Sequence, residues 1–314
     1  MVLSKPLPVL PEMPWNVKKL IAASADSFTK VSLRQCSKEF TSHVDNSIFT
    51  YKKLSLSLRI NHVETIFELD SSHFLEQSFP EDPAPTNRSL RSDIKPYVSD
   101  ESIKEGVDYF MEVLKRKNVI VEQLKIQLSF AIHASRHKLF IKCLKDSLSS
   151  LDHNLRVEML KVKFIDCTSV IPFILPHLEP GTLKTLKFVE PKSISPKVKL
   201  LPPQSIVQTD QWKQAEELIL KGFSSDLPYE DIQHFKWFTA EIDHLTIARA
   251  KEIVEKALQN VNFETIHWKY TSLEPGIHSY RSKVSHNDIP GAGAYVTVSL
   301  DEETFMVERA EYDR

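Results

Sequence analysis

Glycine is scarce, at 6 residues in a chain of 314. Loops that cradle phosphates use several glycines close together, and neither GxGxxG nor GxxxxGK[ST] occurs, so nucleotide-dependent chemistry is not expected. Cysteine is rarer still. Cys36, Cys143 and Cys167 are odd in number, widely spaced and set in apolar segments. That excludes a disulfide framework and reads as reduced core thiols of a cytoplasmic or nuclear protein. Long apolar runs are missing too. VIPFILPHL is short and holds two prolines, against the roughly 18 residues needed to cross a bilayer, and the opening MVLSKPLPVLPEMPW lacks the build of a secretory peptide. Neither charge sign is in surplus: 40 basic residues face 42 acidic ones, a formal net charge of −2. Without a global field to draw nucleic acid or a membrane surface, any charge-based recognition must be local.

Catalytic signatures are absent as well. His133 and His137 have the i, i+4 spacing of helical metal ligands, but no glutamate follows His133 as in HExxH and no third ligand is evident, so neither metal nor cofactor is expected. There is no GxSxG elbow, and neither Cys36 nor Cys143 has the electropositive, exposed setting of a nucleophile. Trp212 and Trp268 read as core anchors. The expectation is a non-enzymatic protein.

What the chain does contain begins near its start. After Pro11 and Pro14, the residues Met13, Val17, Leu20 and Ile21 fall on one face of a helix that Pro14 can open at its first position. Asp26 or Ser27 can cap a second turn holding Phe28 and Val31, and Leu33, Cys36, Phe40 and Val44 mark a third helix. Some 36 residues of this kind cannot bury a core alone. They must pack on a neighbour or keep apolar surface for a partner.

The run LPEMPW, VKKLI and SFTKVSLRQCSKEF resembles an F-box of the nematode type, through the leading Leu-Pro, the second proline, the amphipathic first helix and the Leu-Arg-x-Cys segment followed by an aromatic. The resemblance implies a docking module for the Skp adaptor subunit of Skp–cullin–F-box ubiquitin ligases. The positions that match adaptor-contacting residues are Leu10, Pro11, Met13, Pro14, Val17, Leu20, Ile21, Val31, Leu33 and Cys36.

Downstream, an apolar pattern Φ-x-x-Φ-x-Φ recurs at Tyr51-Leu54-Leu56, Val121-Leu124-Ile126, Val157-Leu160-Val162, Leu183-Leu186-Phe188, Ala215-Leu218-Leu220, Ile242-Leu245-Ile247 and Phe263-Ile266-Trp268. Its irregular spacing is that of a degenerate α/β repeat. Helical stripes alternate with these copies. Ser99 or Asp100 can cap a helix with Ile103, Val107, Phe110, Met111 and Leu114 on one face, and Phe140, Cys143, Leu144, Leu148 and Leu151 form another stripe. Pro172 and Pro176 interrupt a helix between Val170 and Leu178. Pro180-Gly181 marks a turn, Thr209 or Asp210 caps the next helix, and the stretches from Ile232 to Phe238 and from Ala248 to Leu258 read as the last two. The interval from Tyr51 to Val121 has room for one more degenerate repeat around a proline-rich loop. Near the end, Tyr295 to Leu300 and Thr304 to Val307 suggest a hairpin that covers the last strand.

The region from about 100 to 270 resembles the FTH-type domain that follows many such F-boxes, on Pro180-Gly181-Thr182-Leu183, Gln211-Trp212-Lys213-Gln214-Ala215-Glu216 and Ile232-Gln233-His234-Phe235. The resemblance implies a substrate-selecting domain. The expected fold is α/β: a short N-terminal helical F-box (7–48), a connecting strand and proline-rich loop (49–98), an FTH-type repeat domain (99–272) built as an irregular leucine-rich-repeat-like solenoid, and a C-terminal loop and hairpin cap (273–314).

Within each strand the intervening residues point away from the apolar ones. They include Lys125, Gln127, Lys161, Lys163, Lys187, Lys221, His267 and Lys269. The six lysines read either as a stripe for an acidic or phosphorylated client segment or as a solvated face kept soluble by charge. The function expected is a substrate-recognition subunit that binds a Skp-family adaptor, through it a cullin, and a client protein. The alternatives are a repeat-based interaction scaffold with no ligase role and a hydrolase with an unrecognised site.

Overall fold

The computed structural model of the chain describes residues 13–25, 29–30, 33, 48–59, 63–68, 74–79, 98–129, 134–163, 170–189, 204–224, 227–259, 263–274, 285–289, 294–300 and 304–311. Its strands are β1 (Phe49–Leu58), β2 (Val63–Glu68), β3 (Phe74–Phe79), β4 (Val119–Leu128), β5 (Arg156–Lys163), β6 (Thr185–Val189), β7 (Glu217–Ser224), β8 (Trp237–Leu245), β9 (Thr265–Leu273), β10 (Ser285–Ile289), β11 (Ala294–Leu300) and β12 (Thr304–Glu311). All belong to one mixed sheet, in the order β10-β11-β12-β9-β8-β7-β6-β5-β4-β1-β2-β3. In its middle, β1 and β4 through β9 are parallel neighbours in chain order. The chain is thus an α/β protein.

The apolar pattern explains this register. Leu54, Leu124, Leu160, Leu186, Leu218, Phe238 and Ile266 lie in one row across those strands, and every one is buried. Leu56, Ile126, Val162, Phe188 and Leu220 form the next row. Because side chains alternate, both rows face the same side, where they pack with the helices in one core.

One expected copy is displaced. Phe238, not Leu245, aligns with Leu218 and Ile266, so the repeat here is Phe235-Phe238-Ala240, and of the stretch expected to be helical from Ile232 to Phe238 only Ile232 is helical, as the last residue of the short helix Tyr229–Ile232, while Trp237 and Phe238 open β8. Both frames satisfy the same spacing. The edge of the Phe238 ring against Trp268, with centroids 6.1 Å apart, seals the earlier one. The interval after Tyr51 also differs from expectation. Its described residues supply β2, antiparallel to β1, and β3, antiparallel to β2, and the proline-rich loop lies outside the described residues. At the opposite end β12 runs antiparallel to β9, with β11 and β10 beyond it, so the C-terminal strands cover the last parallel edge.

The helices are α1 (Trp15–Ser24), α2 (Asp100–Leu114), α3 (Ala134–Ser149), α4 (Ile171–Ile174), α5 (Gln204–Val207), α6 (Asp210–Gln214), α7 (Tyr229–Ile232) and α8 (Ile247–Gln259). Local chemistry sets their ends. Ser99 Oγ accepts the Ser102 N–H at 3.0 Å to cap α2, whose Ile103, Val107, Phe110, Met111 and Leu114 are buried. Thr209 Oγ1 accepts the Trp212 N–H at 3.2 Å to cap α6. Pro172 sits in the first turn of α4 and Pro176 in that of the 3-10 turn Leu175–His177, so the prolines shorten this connection without removing it. Gly181 takes φ 82, as the turn into β6 requires.

Three helices were expected from 10 to 45. The structure describes α1, together with helical geometry at Thr29, Lys30 and Leu33. Pro14 is the N-cap of α1 and not its first helical residue, with φ −57 and ψ 148. Lys30 ties this region to the sheet: it is buried and donates to the Ile48 carbonyl at 2.9 Å.

Candidate functional site

The strand positions opposite the core gather cations at one end of the parallel array. Lys125, Lys161 and Lys187 stand in one register row on β4, β5 and β6, which continues through Ile219, Thr239 and His267. The next row holds Gln127, Lys163, Val189 and Lys221. Among the described residues no carboxylate is paired with Lys125, Lys161, Lys163, Lys187 or Lys221. Burial, with the like charge of Lys161, Lys53, Arg59 and Lys163, pushes the Lys125 ammonium from 10.5 down to about 8. Lys161 moves the same way, through burial and then Lys187, Lys163, Lys53 and Lys221. Cations crowded on a partly desolvated surface disfavour their own charged form, and an anion relieves them.

Lys269 does not join this group. It lies on β9 beside Glu241 of β8 and Thr304 of β12, beyond a register irregularity between β7 and β8. The stripe expected from β4 to β9 is therefore a patch confined to β1 and β4 to β7.

Sequence reasoning missed the β1 contribution. Lys53, Ser55 and Ser57 alternate with Leu54, Leu56 and Leu58, so they point to the same side as Lys125; Ser55 pairs in register with Lys125, and Ser57 with Gln127. The alternation in KKLSLSLR was a sufficient signal. Both serines are 0% exposed, and their hydroxyls have no hydrogen-bond partner. On the β2 side of the same face, Glu64 is held by Arg59 at 3.1 Å.

A second surface lies on α1. Trp15, Val17 and Leu20 are 62%, 37% and 68% exposed, whereas Lys18 and Ala22 are buried. Pro14 is also exposed and Met13 partly so. Ile21 packs partly against the core, and Leu33 belongs to it. Leu33 is thus support for the module and not part of its surface. Trp15, absent from the expected contact set, extends that surface. Leu10, Pro11, Val31 and Cys36 lie outside the described residues.

The segments that carry the FTH resemblance meet in the interior. Gln211 Nε2 donates to the Leu178 carbonyl and Trp212 Nε1 to the Asp231 carbonyl, both at 2.8 Å. His234 Nε2 donates to the Trp212 carbonyl, also at 2.8 Å, and Trp212 meets the edge of Phe235 with centroids 5.3 Å apart. A side-chain Cβ at Gly181 would come within 3.2 Å of Gln214 Oε1. These contacts staple α6 to α7 and to the turn at Leu178 and Gly181 that precedes β6, and burial lowers the His234 pKa. Their role is scaffold, not surface.

Of the other residues considered for chemistry, His137 Nε2 donates to the Ser129 carbonyl at 3.0 Å. Burial pushes the Cys143 thiol up. Trp212 and Trp268 are both buried. Among the described residues no cluster of three His, Cys, Asp or Glu side chains is placed to hold a metal, and no helix is long and apolar enough to cross a membrane. His133, Cys36 and Cys167 lie outside the described residues.

Comparison with protein families matches residues 138–277 to the FTH domain, a span from α3 through β9 that leaves β1, α2 and β4 outside it. No curated protein and no solved structure matches the chain.

Proposed function

We propose that this chain is a substrate-recognition subunit of a Skp–cullin–F-box ubiquitin ligase. One observation carries the reading: α1 turns Trp15, Val17 and Leu20 outward while it buries Lys18 and Ala22. A helix packed only for its own stability would bury its large apolar residues first, since each contributes about 1.5–3 kcal/mol on full burial. An exposed apolar face on a short helical module suits docking to another protein. The adaptor would take Trp15, Val17, Leu20 and the adjoining Pro14, and the cullin would follow through it.

The α/β array would hold the client. Parallel strands in chain order, with their apolar rows in register, support an irregular leucine-rich-repeat-like solenoid, and the FTH match to 138–277 agrees with a substrate-selecting role. Lys125, Lys161, Lys163, Lys187 and Lys221 would receive an acidic or phosphorylated segment. The protein's own contribution to ubiquitin transfer is then effective concentration: it tethers the client near the charged enzyme. Such work places it in the cytoplasm or nucleus.

The test is a pull-down with recombinant Skp adaptor. Full-length chain should retain it, and the Trp15→Ala/Leu20→Glu variant should not. Equal retention by both, or by neither, overturns the ligase reading and leaves a client-binding scaffold with no ligase role.

A further inference from the structure

We infer that Trp237 is the specificity-determining anchor of the client surface: with Ile219 and Thr239 it takes an apolar side chain of an extended client segment whose carboxylates reach Lys187 and Lys161. The inference rests on the client-receptor reading above and adds to it a second, uncharged half.

The sheet face opposite the core changes character between β6 and β8. In the register row that begins with Lys125, Lys161 and Lys187, the next three positions are Ile219, Thr239 and His267, all partly exposed. In the row before it, Trp237 stands between Glu217 and Thr265. Trp237 is 39% exposed although β8 has a strand on each side. Phe238 and Ala240 fill the core side of this strand, so the tryptophan faces the other way and adds nothing to the core. A face shaped only for solubility would carry a polar residue here, since exposed aromatic surface marks association.

The surroundings restrain this ring and select its partner. Lys236 Nζ lies 6.0 Å from the ring centroid and is held by Glu216 at 2.9 Å, which limits the indole before any client arrives. The carboxylate beside it, Glu217, accepts the Thr185 hydroxyl at 2.9 Å. With a cation already at the ring and both carboxylates engaged, an apolar side chain is the fitting occupant, and a restrained tryptophan is a strong anchor for one. Strands lie about 4.8 Å apart, so Lys187 and Lys161, two and three strands from β8, are about 10 and 14 Å away, which an extended chain covers in about three and four residues. Lys125, Lys161, Lys163, Lys187 and Lys221 have no carboxylate partner among the described residues, so carboxylates are their complement. Single-stranded nucleic acid also joins aromatic stacking to cations, but this chain has no basic surplus to draw it.

The experiment selects from a display library of random peptides on immobilised full-length chain. Peptides should emerge with an aromatic or aliphatic residue three or four positions from an acidic one. In fluorescence anisotropy, a labelled peptide of that kind should bind Trp237→Ser at least about tenfold more weakly, with Trp237→Phe and Lys269→Met close to wild type. Ile219→Thr, a milder change, should weaken binding about threefold, which keeps the test open should Trp237→Ser lower the thermal midpoint. Acidic peptides selected without an apolar residue, or equal binding by Trp237→Ser, would overturn the anchor and leave the acidic-client reading standing. Enrichment of basic peptides, tighter binding of a single-stranded oligonucleotide than of any selected peptide, or a dimer of the chain that Trp237→Ser dissolves would also overturn it. An empty selection removes anchor and client surface together. Trp237→Ser should retain the Skp adaptor as wild type does, so failure here is distinct from failure of the ligase reading.

Discussion

Lys125 and Lys161 stand opposite one another on the parallel strands β4 and β5, two partly buried ammonium groups with no carboxylate partner among the described residues. A sheet that needed lysine only for solubility would spread its charges into water. Here they crowd beside two buried serines, and the crowding has measurable consequences.

The first is a pH dependence of stability. Lys125 is lowered from 10.5 to about 8 by burial and by Lys161, Lys53, Arg59 and Lys163, while the facing Glu64 is paired with Arg59. The unfolded chain therefore holds this proton more tightly than the folded one. Between about pH 8 and 10.5 unfolding takes up a proton, so this lysine's contribution to stability rises with pH across that window. Lys125→Met should be more stable than wild type at pH 7.5, and its advantage should shrink by pH 9.5, as read from urea midpoints. An advantage that is constant or grows with pH would count against the lowered pKa.

Ser55→Ala and Ser57→Ala should each leave the fold at least as stable as before, because removing a buried hydroxyl that lacks a partner relieves a penalty of about 1–3 kcal/mol. Thermal unfolding of the isolated chain reads this directly. A loss of more than about 1 kcal/mol would mean the hydroxyls are satisfied in the folded protein.

On α1 the two faces should respond differently to the same charge. Leu20→Glu, at an exposed position, should change stability by no more than about 0.5 kcal/mol, whereas Ala22→Glu puts a carboxylate into the core and should strip α1 from the sheet. Circular dichroism and limited proteolysis within the first 50 residues distinguish them. Equal tolerance would show that α1 does not pack as described.

Trp212→Phe keeps an aromatic ring but removes the donor to the Asp231 carbonyl. A cost of about 1–3 kcal/mol is expected, with no change in adaptor or client-peptide binding. Loss of either activity without loss of stability would move this staple from scaffold to surface. Deeper in the sheet, Leu160→Ala should cost about 2–5 kcal/mol in denaturant unfolding, since this buried leucine has row neighbours on both sides.

Much of the local structure was legible before the fold was known. The stripe from Ile103 to Leu114, the caps at Ser99 and Thr209, the breaks at Pro172 and Pro176 and the turn at Gly181 all depend on neighbours a few residues away, and each is where its spacing placed it. The alternation of lysines with leucines on β4 to β6 was legible for the same reason. Displaced or invisible features were those that depend on distant pairing. Leu33 carries the same apolar character as Leu20, and nothing local says that one joins the core while the other stays exposed.

The sequence by itself determined the elements and the two-sidedness of each strand, because helix and strand periodicities are properties of short stretches. Tertiary structure alone decided the frame of β8, where Phe238 and Leu245 both fit the pattern and only hydrogen-bond register with β7 and β9 selects Phe238. It also decided that β1 pairs with β4 across an intervening hairpin, and so that Ser55 meets Lys125. That pairing joins residues 70 positions apart in the chain, a distance over which no local pattern can set the register.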